Sequence, residues 1–168
     1  MTTTTAVPST PRRPVVTYRD GLVLGCLLAG LVSTHWLIIN ISPSVPLGVY
    51  RYARTGDPLR RGDLIRIPAV PCGRSWLASW LPLLKPVAGM PGDTVCVAPE
   101  GLWVQGVFYG VVYATWRGKP LPVFWGCHVV GDGEVFVASH EPKSLDGRYF
   151  GLTRVEDARR AVPVWTWR

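Results

Sequence analysis

A mainly β domain behind a single N-terminal apolar helix is the architecture this sequence predicts, and three observations predict it. First, 18 Gly, 16 Pro, 8 Trp, 6 Tyr and 4 Phe are spread along 168 residues, a composition suited to short strands and turns. Second, from residue 48 onward, short alternating or β-branched runs recur between Gly, Pro and Asp turn signals. Third, the run 21–41 stays apolar for 21 residues, without a formal charge when His35 is neutral. A chain of this length holds one ordinary domain plus an anchor, not two full domains.

Residues 1–20 are rich in Thr and Pro, carry Arg12, Arg13 and Arg19, and lack apolar periodicity, so they read as a disordered tail. Residues 21–41 have the length of a membrane-spanning helix, which needs about 20 apolar residues. A cleaved signal peptide is the competing reading. The run exceeds the ~7–15 residues of a signal-peptide core and no Ala-x-Ala-like site follows, which favours a retained anchor. The arginines before it place the tail in the cytoplasm and residues 42–168 across the membrane. Arg51, Arg54, Arg60 and Arg61 count against that orientation, but large translocated domains tend to ignore such charges. His35 lies within the last two turns of the span and reads as an interface-facing histidine, not a ligand.

Gly48 to Tyr52 reads as the first strand of the domain, 57–63 as a turn, and Leu64-Ile65-Arg66-Ile67-Pro68 as a half-buried alternating strand. Trp76 and Trp80 share a helical face until Pro82, which suits a core or an interfacial belt on lipid. Lys85 to Asp93 is strand-like and ends in a Pro-Gly turn; Thr94 to Val97 and Leu102 to Val112 continue the β pattern. Lys119 to Cys127 holds two prolines and reads as loop or edge, Gly131 to Glu134 as a turn, and Val135 to Ala138 as a buried strand. A helical turn at Val155 to Arg160 and a final Val-Pro-Val-Trp-Thr-Trp strand close the chain.

The net charge of +7 and pI near 9.6 come from 18 scattered basic residues with no dense run, so no nucleic-acid partner is indicated. An anionic lipid surface accounts for the surplus equally well. Cys26, Cys72, Cys96 and Cys127 show no Cys-x-x-Cys spacing, which argues against a structural zinc site, and no metal or other cofactor is expected. Cys26 reads as a small hydrophobe inside the apolar run. In a domain outside the cytoplasm, Cys96 and Cys127 are the pair to bridge, which leaves Cys72 free.

The chemistry concentrates where the apolar run stops, at Asn40-Ile41-Ser42-Pro43-Ser44-Val45-Pro46-Leu47-Gly48-Val49-Tyr50. A serine hydroxyl is a weak nucleophile at neutral pH and needs a base, either a histidine or a lysine whose pKa has been pulled down. His128 and His140 carry no local mark of a triad. Only Lys85, Lys119 and Lys143 are lysines, and arginine cannot act as a base, so the choice is narrow. Lys85 sits in Leu-Pro-Leu-Leu-Lys-Pro-Val-Ala-Gly, with no carboxylate beside it in sequence. Apolar surroundings strip solvation from an ammonium and favour the neutral amine that a serine–lysine dyad requires, although such a lysine also commonly snorkels to solvent.

Four segments, in order, resemble the type I signal peptidases: Ser42-Pro43-Ser44-Val45-Pro46; Arg61-Gly62-Asp63-Leu64-Ile65; Lys85-Pro86-Val87-Ala88-Gly89-Met90-Pro91-Gly92-Asp93-Thr94-Val95; and Ser144-Leu145-Asp146-Gly147-Arg148-Tyr149-Phe150-Gly151. The details Ser-Pro-Ser-Val-Pro-Leu-Gly-Val-Tyr-Arg and Ser-His-Glu-Pro-Lys-Ser-Leu-Asp-Gly-Arg-Tyr-Phe-Gly are similar to the conjugal-transfer branch, the TraF peptidases that mature conjugative pilins. The resemblance implies that Ser44 is the nucleophile and Lys85 the general base, with Ser42 joining the Ser44 amide in the oxyanion hole. It further implies that Ser144 orients the lysine amine, that Asp146 and Arg148 form a supporting ion pair, and that the 61–63 and 89–93 turns are architectural. Departures are visible. Pro86 follows the lysine where a basic residue is usual, Ala138-Ser139-His140 stands where Gly-Asp-Asn is common, Asp146-Gly147-Arg148 replaces Asp-Ser-Arg, and Val45 replaces methionine.

The fold so implied is a signal-peptidase-like β-barrel core with a smaller β region inserted between the Lys85 and Asp146 segments, preceded by one transmembrane helix. The expected molecule is a single-pass protein of the inner (cytoplasmic) membrane whose serine endopeptidase domain is periplasmic. Its expected substrate is a membrane-embedded pre-protein, a pilin precursor, which is hydrolysed or cyclised; the lipid bilayer and other conjugation-machinery proteins are the expected partners. A signal peptidase of broad specificity and an inactive membrane-anchored β module of a secretion channel are the alternatives. A cytoplasmic self-cleaving repressor is disfavoured, because an apolar anchor stands where such proteins carry a DNA-binding head.

Overall fold

Alternating sequence becomes a ladder wherever one face of a strand can be buried, and here two sheets bury each other's inner faces. The computed structural model describes residues 18–34, 36–53, 58–68 and 82–167. By internal contacts the chain divides into two units, 1–35 and 36–168. Within the first unit, α1 covers Tyr18–Thr34, 17 residues. No helix among the described residues is long and apolar enough to cross a membrane.

The expected helix over 21–41 is corrected at its C-terminal end. It stops at Thr34, and Leu37–Asn40 is a strand, β1, antiparallel to β2 (Leu47–Tyr52), with Ile38 opposite Tyr50 and Asn40 opposite Gly48. An apolar run fits helix or strand equally, and the β-branched pair Ile38 and Ile39 goes to the strand because β2 supplies a partner. Gly48 of that pairing also lies against the last strand, where a Cβ would collide with the Trp165 carbonyl and the Thr166 Cα.

The remaining strands are β3 (Leu64–Ile67), β4 (Leu83–Gly89), β5 (Thr94–Ala98), β6 (Gly101–Val104), β7 (Val107–Gly110), β8 (Thr115–Trp116), β9 (Lys119–Pro120), β10 (Gly126–Val129), β11 (Glu134–Val137), β12 (Thr153–Arg154) and β13 (Arg159–Trp167). Five of them join β1 and β2 in one seven-stranded sheet, in the order β1-β2-β13-β3-β4-β11-β12. Among the described residues this sheet is open, with β1 and β12 at its edges, where a closed barrel would pair them. The expected inserted region is the stretch between β4 and β11. It forms a second sheet, β10-β5-β6-β7, and a small ribbon, β8-β9.

The core between the sheets joins Val95, Val97, Leu102 and Val104 of the inserted region to Ala88, Phe136 and Ala138. A second cluster, Ile65, Ile67, Val87, Val135 and Val137, lies on β3, β4 and β11, and a third gathers Val45, Tyr50, Leu84 and Ala161. Cys96 and Cys127 stand directly opposite on β5 and β10 and are joined in a disulfide. Cys72, the Trp76 and Trp80 segment, His35 and the 1–17 stretch lie outside the described residues. The expected helical turn at 155–160 is a 3-10 turn at Val155–Asp157, and the last strand already begins at Arg159.

The two turns that the resemblance marks as architectural are clamped to each other. Arg61 Nη2 meets Asp93 Oδ2 at 2.5 Å and Nη1 donates to the Ala88 carbonyl, while Asp63 pairs with Arg160 at 3.0 Å. Burial alone would raise the Asp93 pKa. The Met90 amide, the Gln105 side chain and the Arg61 guanidinium outweigh it and hold the carboxyl below its ordinary value.

Candidate active site

Three elements deliver the side chains that the sequence marks. β4 carries Lys85 between Leu84 and Pro86, directly across the ladder from Ile65. The lysine is 3% exposed, so it does not snorkel to solvent. The turn between β1 and β2 carries Ser42 and Ser44, and the segment after β11 carries Ser144, Asp146 and Arg148.

Lys85 Nζ lies 2.6 Å from Ser44 Oγ and 3.1 Å from Ser144 Oγ, and the two hydroxyl oxygens are 3.3 Å apart. Ser144 is buried and Ser44 half-buried, so the amine is enclosed while the nucleophile candidate keeps a face toward solvent. The arrangement can pass one proton between a serine and an amine, and 2.6 Å is within the range for a general base. His128 Nε2 instead sits 3.0 Å from the Trp125 carbonyl, and His140 stacks on Tyr109 at a centroid distance of 4.5 Å.

The turn that carries Ser42 and Ser44 is shaped by Asn40, which sequence reasoning did not single out. Its buried side-chain amide donates to the carbonyls of Ser42 at 2.8 Å, Val45 at 3.1 Å and Pro46 at 3.1 Å. Three carbonyls can only accept, which fixes the amide orientation and makes Asn40 Oδ1 an acceptor. The Ser42 hydroxyl therefore donates to Asn40 Oδ1, at 3.0 Å. Beyond the turn, Val45 packs with Tyr50, Leu84 and Ala161, and the Tyr50 hydroxyl donates to the Pro46 carbonyl at 2.6 Å. Burial pushes the Tyr50 phenol above its ordinary pKa and keeps it a donor.

Asp146 and Arg148 are fully buried and paired at 2.8 Å, the ion pair that the resemblance implies. Asp146 also caps the four-residue helix α2 (Gly147–Phe150). Arg148 donates further to the carbonyls of Ser139 at 2.7 Å and Val111 at 2.8 Å, so the inserted region is tied to this corner. Gly147 explains the missing hydroxyl of the Asp-Gly-Arg triplet. A Cβ there would lie 2.6 Å from the Phe136 ring and 2.8 Å from the Val137 carbonyl, leaving no room for serine. The structure also adds Ser139, whose hydroxyl donates to the Ser44 carbonyl at 2.8 Å. No sequence pattern marks that hydroxyl, because its partner lies 95 residues away. Among the described residues, no group of His, Cys, Asp and Glu could hold a metal ion.

Residues 21–165 match the family model for signal peptidase, peptidase S26. The conjugal transfer protein TraF of Agrobacterium fabrum (strain C58) is 32% identical over 148 residues, covering 78% of this chain and 82% of that protein. Among solved structures, a signal peptidase I from Enterococcus faecalis V583 aligns with a TM-score of 0.40 at 18% identity, over 63% of this chain and 97% of that one.

Proposed function

The chain belongs to the signal peptidase family, peptidase S26, and from that premise we propose that it is a serine endopeptidase using a Ser44–Lys85 dyad to mature a conjugative pilin precursor. The observation that carries the dyad is the 2.6 Å separation of Lys85 Nζ and Ser44 Oγ, with Ser144 as the second hydroxyl on the amine. The 32% identity to a conjugal transfer protein favours a pilin precursor over the substrates of a broad-specificity peptidase.

In this mechanism the buried amine, in its neutral form, takes the Ser44 proton as Oγ attacks the scissile carbonyl carbon. The Ser44 amide and the Ser42 hydroxyl, turned away from Asn40, stabilise the oxyanion. Lys85 then returns the proton to the leaving amine as the peptide C–N bond breaks, leaving an ester on Ser44. Water, or an amine of the substrate itself, resolves the ester; the second route closes a circular product.

We place the protein in the inner membrane with the domain in the periplasm. The Cys96–Cys127 disulfide suits an oxidising compartment. Exposed Ile39, Ile41, Trp165 and Trp167 flank the sheet end that carries the nucleophile turn and suit contact with lipid there. The test is processing of a pilin precursor by wild-type, Ser44→Ala and Lys85→Ala chains. Loss of product by about 10³-fold or more in both variants is expected for dyad members; undiminished product from either would overturn the dyad. Rescue of a strain depleted of its own signal peptidase would favour the broad-specificity reading instead.

A further inference from the structure

Ser139 follows β11 and is 6% exposed, and its three polar groups make four hydrogen bonds whose partners have fixed roles. The Glu141 N–H can only donate, so Ser139 Oγ accepts from it at 3.1 Å. The Ser44 carbonyl can only accept, so the Ser139 hydroxyl proton is committed to it, at 2.8 Å. The Ser139 N–H donates to Asp146 Oδ2 at 3.1 Å, and its carbonyl accepts from Arg148 Nη2 at 2.7 Å. One residue thus carries the position of a buried ion pair to the backbone of Ser44.

We infer that Ser139 is a positioning residue for Ser44. Holding the Ser44 carbonyl fixes the backbone torsion beside it, and that torsion sets where the Ser44 Cβ–Oγ bond points relative to Lys85 Nζ. The inference rests on the reading of Ser44 as the nucleophile. It also gives a reason for the Ala138-Ser139-His140 triplet. An aspartate at 139 would set an acceptor against the Ser44 carbonyl and beside the Asp146 carboxylate, and Pro86, the residue after Lys85, offers no side-chain cation to offset it.

The experiment measures kcat, KM and thermal midpoint on pilin-precursor cleavage by the full chain, for Ser139→Ala, Ser139→Thr, Ser139→Asp and Ser44→Ala. Ser139→Ala is expected to lower kcat about 10- to 100-fold with KM within about twofold of wild type, the pattern of a misplaced nucleophile. Ser139→Thr, which keeps the hydroxyl, is expected to recover kcat to within about threefold, and Ser139→Asp to fall at least as far as Ser139→Ala. Wild-type kcat in Ser139→Ala or Ser139→Asp, or a loss that only tracks the folded fraction, overturns the positioning role while an inactive Ser44→Ala leaves the dyad standing. An active Ser44→Ala overturns the nucleophile, and the inference with it.

Discussion

The two walls that meet at Lys85 are built by different means. The Ser144–Arg148 corner is anchored by a fully buried ion pair whose guanidinium also binds two backbone carbonyls. The Asn40–Pro46 turn is anchored by a neutral amide reaching three carbonyls, with Ser42 and Ser44 half-buried and Ser139 as a strut. Charge in a dry site is stiff, because each misalignment exposes an uncompensated ion; neutral hydrogen bonds at a half-exposed turn can be exchanged for others. The difference places rigidity behind Lys85 and leaves adjustability with the turn that carries Ser42 and Ser44.

The contrast breaks most severely at Arg148. Arg148→Met leaves Asp146 buried without its partner, and urea unfolding is expected to show a loss of about 3–5 kcal/mol. Asn40→Ala strands the Ser42 and Val45 carbonyls beside a half-exposed turn and leaves the Pro46 carbonyl with the Tyr50 hydroxyl alone, and water can replace part of the loss. About 1–2 kcal/mol is expected from the same measurement, with cleavage falling as well because the turn that carries Ser44 loses its anchor. An Asn40→Ala cost as large as that of Arg148→Met would remove the distinction between the walls.

The smallest effect lies away from both walls, at Asp93. Its folded-state pKa is depressed below the ordinary 3.8, so its contribution is present above the unfolded value and lost as pH falls through the folded one. Wild type should therefore exceed Asp93→Asn in stability by about 1 kcal/mol at pH 7, a gap that closes below about pH 4. A gap constant across that range would mean that the carboxylate charge contributes nothing.

Much of this arrangement was legible because the chain has few lysines. With three to choose from, and one set among apolar residues near a serine pair, Lys85 stood out before any geometry was known. The turn chemistry of Gly, Pro and Asp likewise located β3, β5 and β11 closely. Other features have no local signature. β1 was hidden because Leu37 to Asn40 continues the hydropathy of the helix before it, and only pairing with β2 distinguishes the two. The Asn40 amide and the Ser139 hydroxyl are ordinary polar groups whose roles are set by partners that the fold brings to them. The openness of the main sheet depends on which strands find neighbours, and hydropathy does not encode that.

The Cys96–Cys127 bridge has a consequence for a broken chain. The residues between the two cysteines include exposed Arg117, followed by Gly118, so trypsin has a place to cut. Such a nick separates Ser44 and Lys85 on one fragment from Ser139 and Ser144 on the other. The covalent link keeps the halves together, so the cut molecule runs as one band without reductant and as two with it. The clipped molecule keeps both groups of residues on one covalent body for as long as that bond stays oxidised.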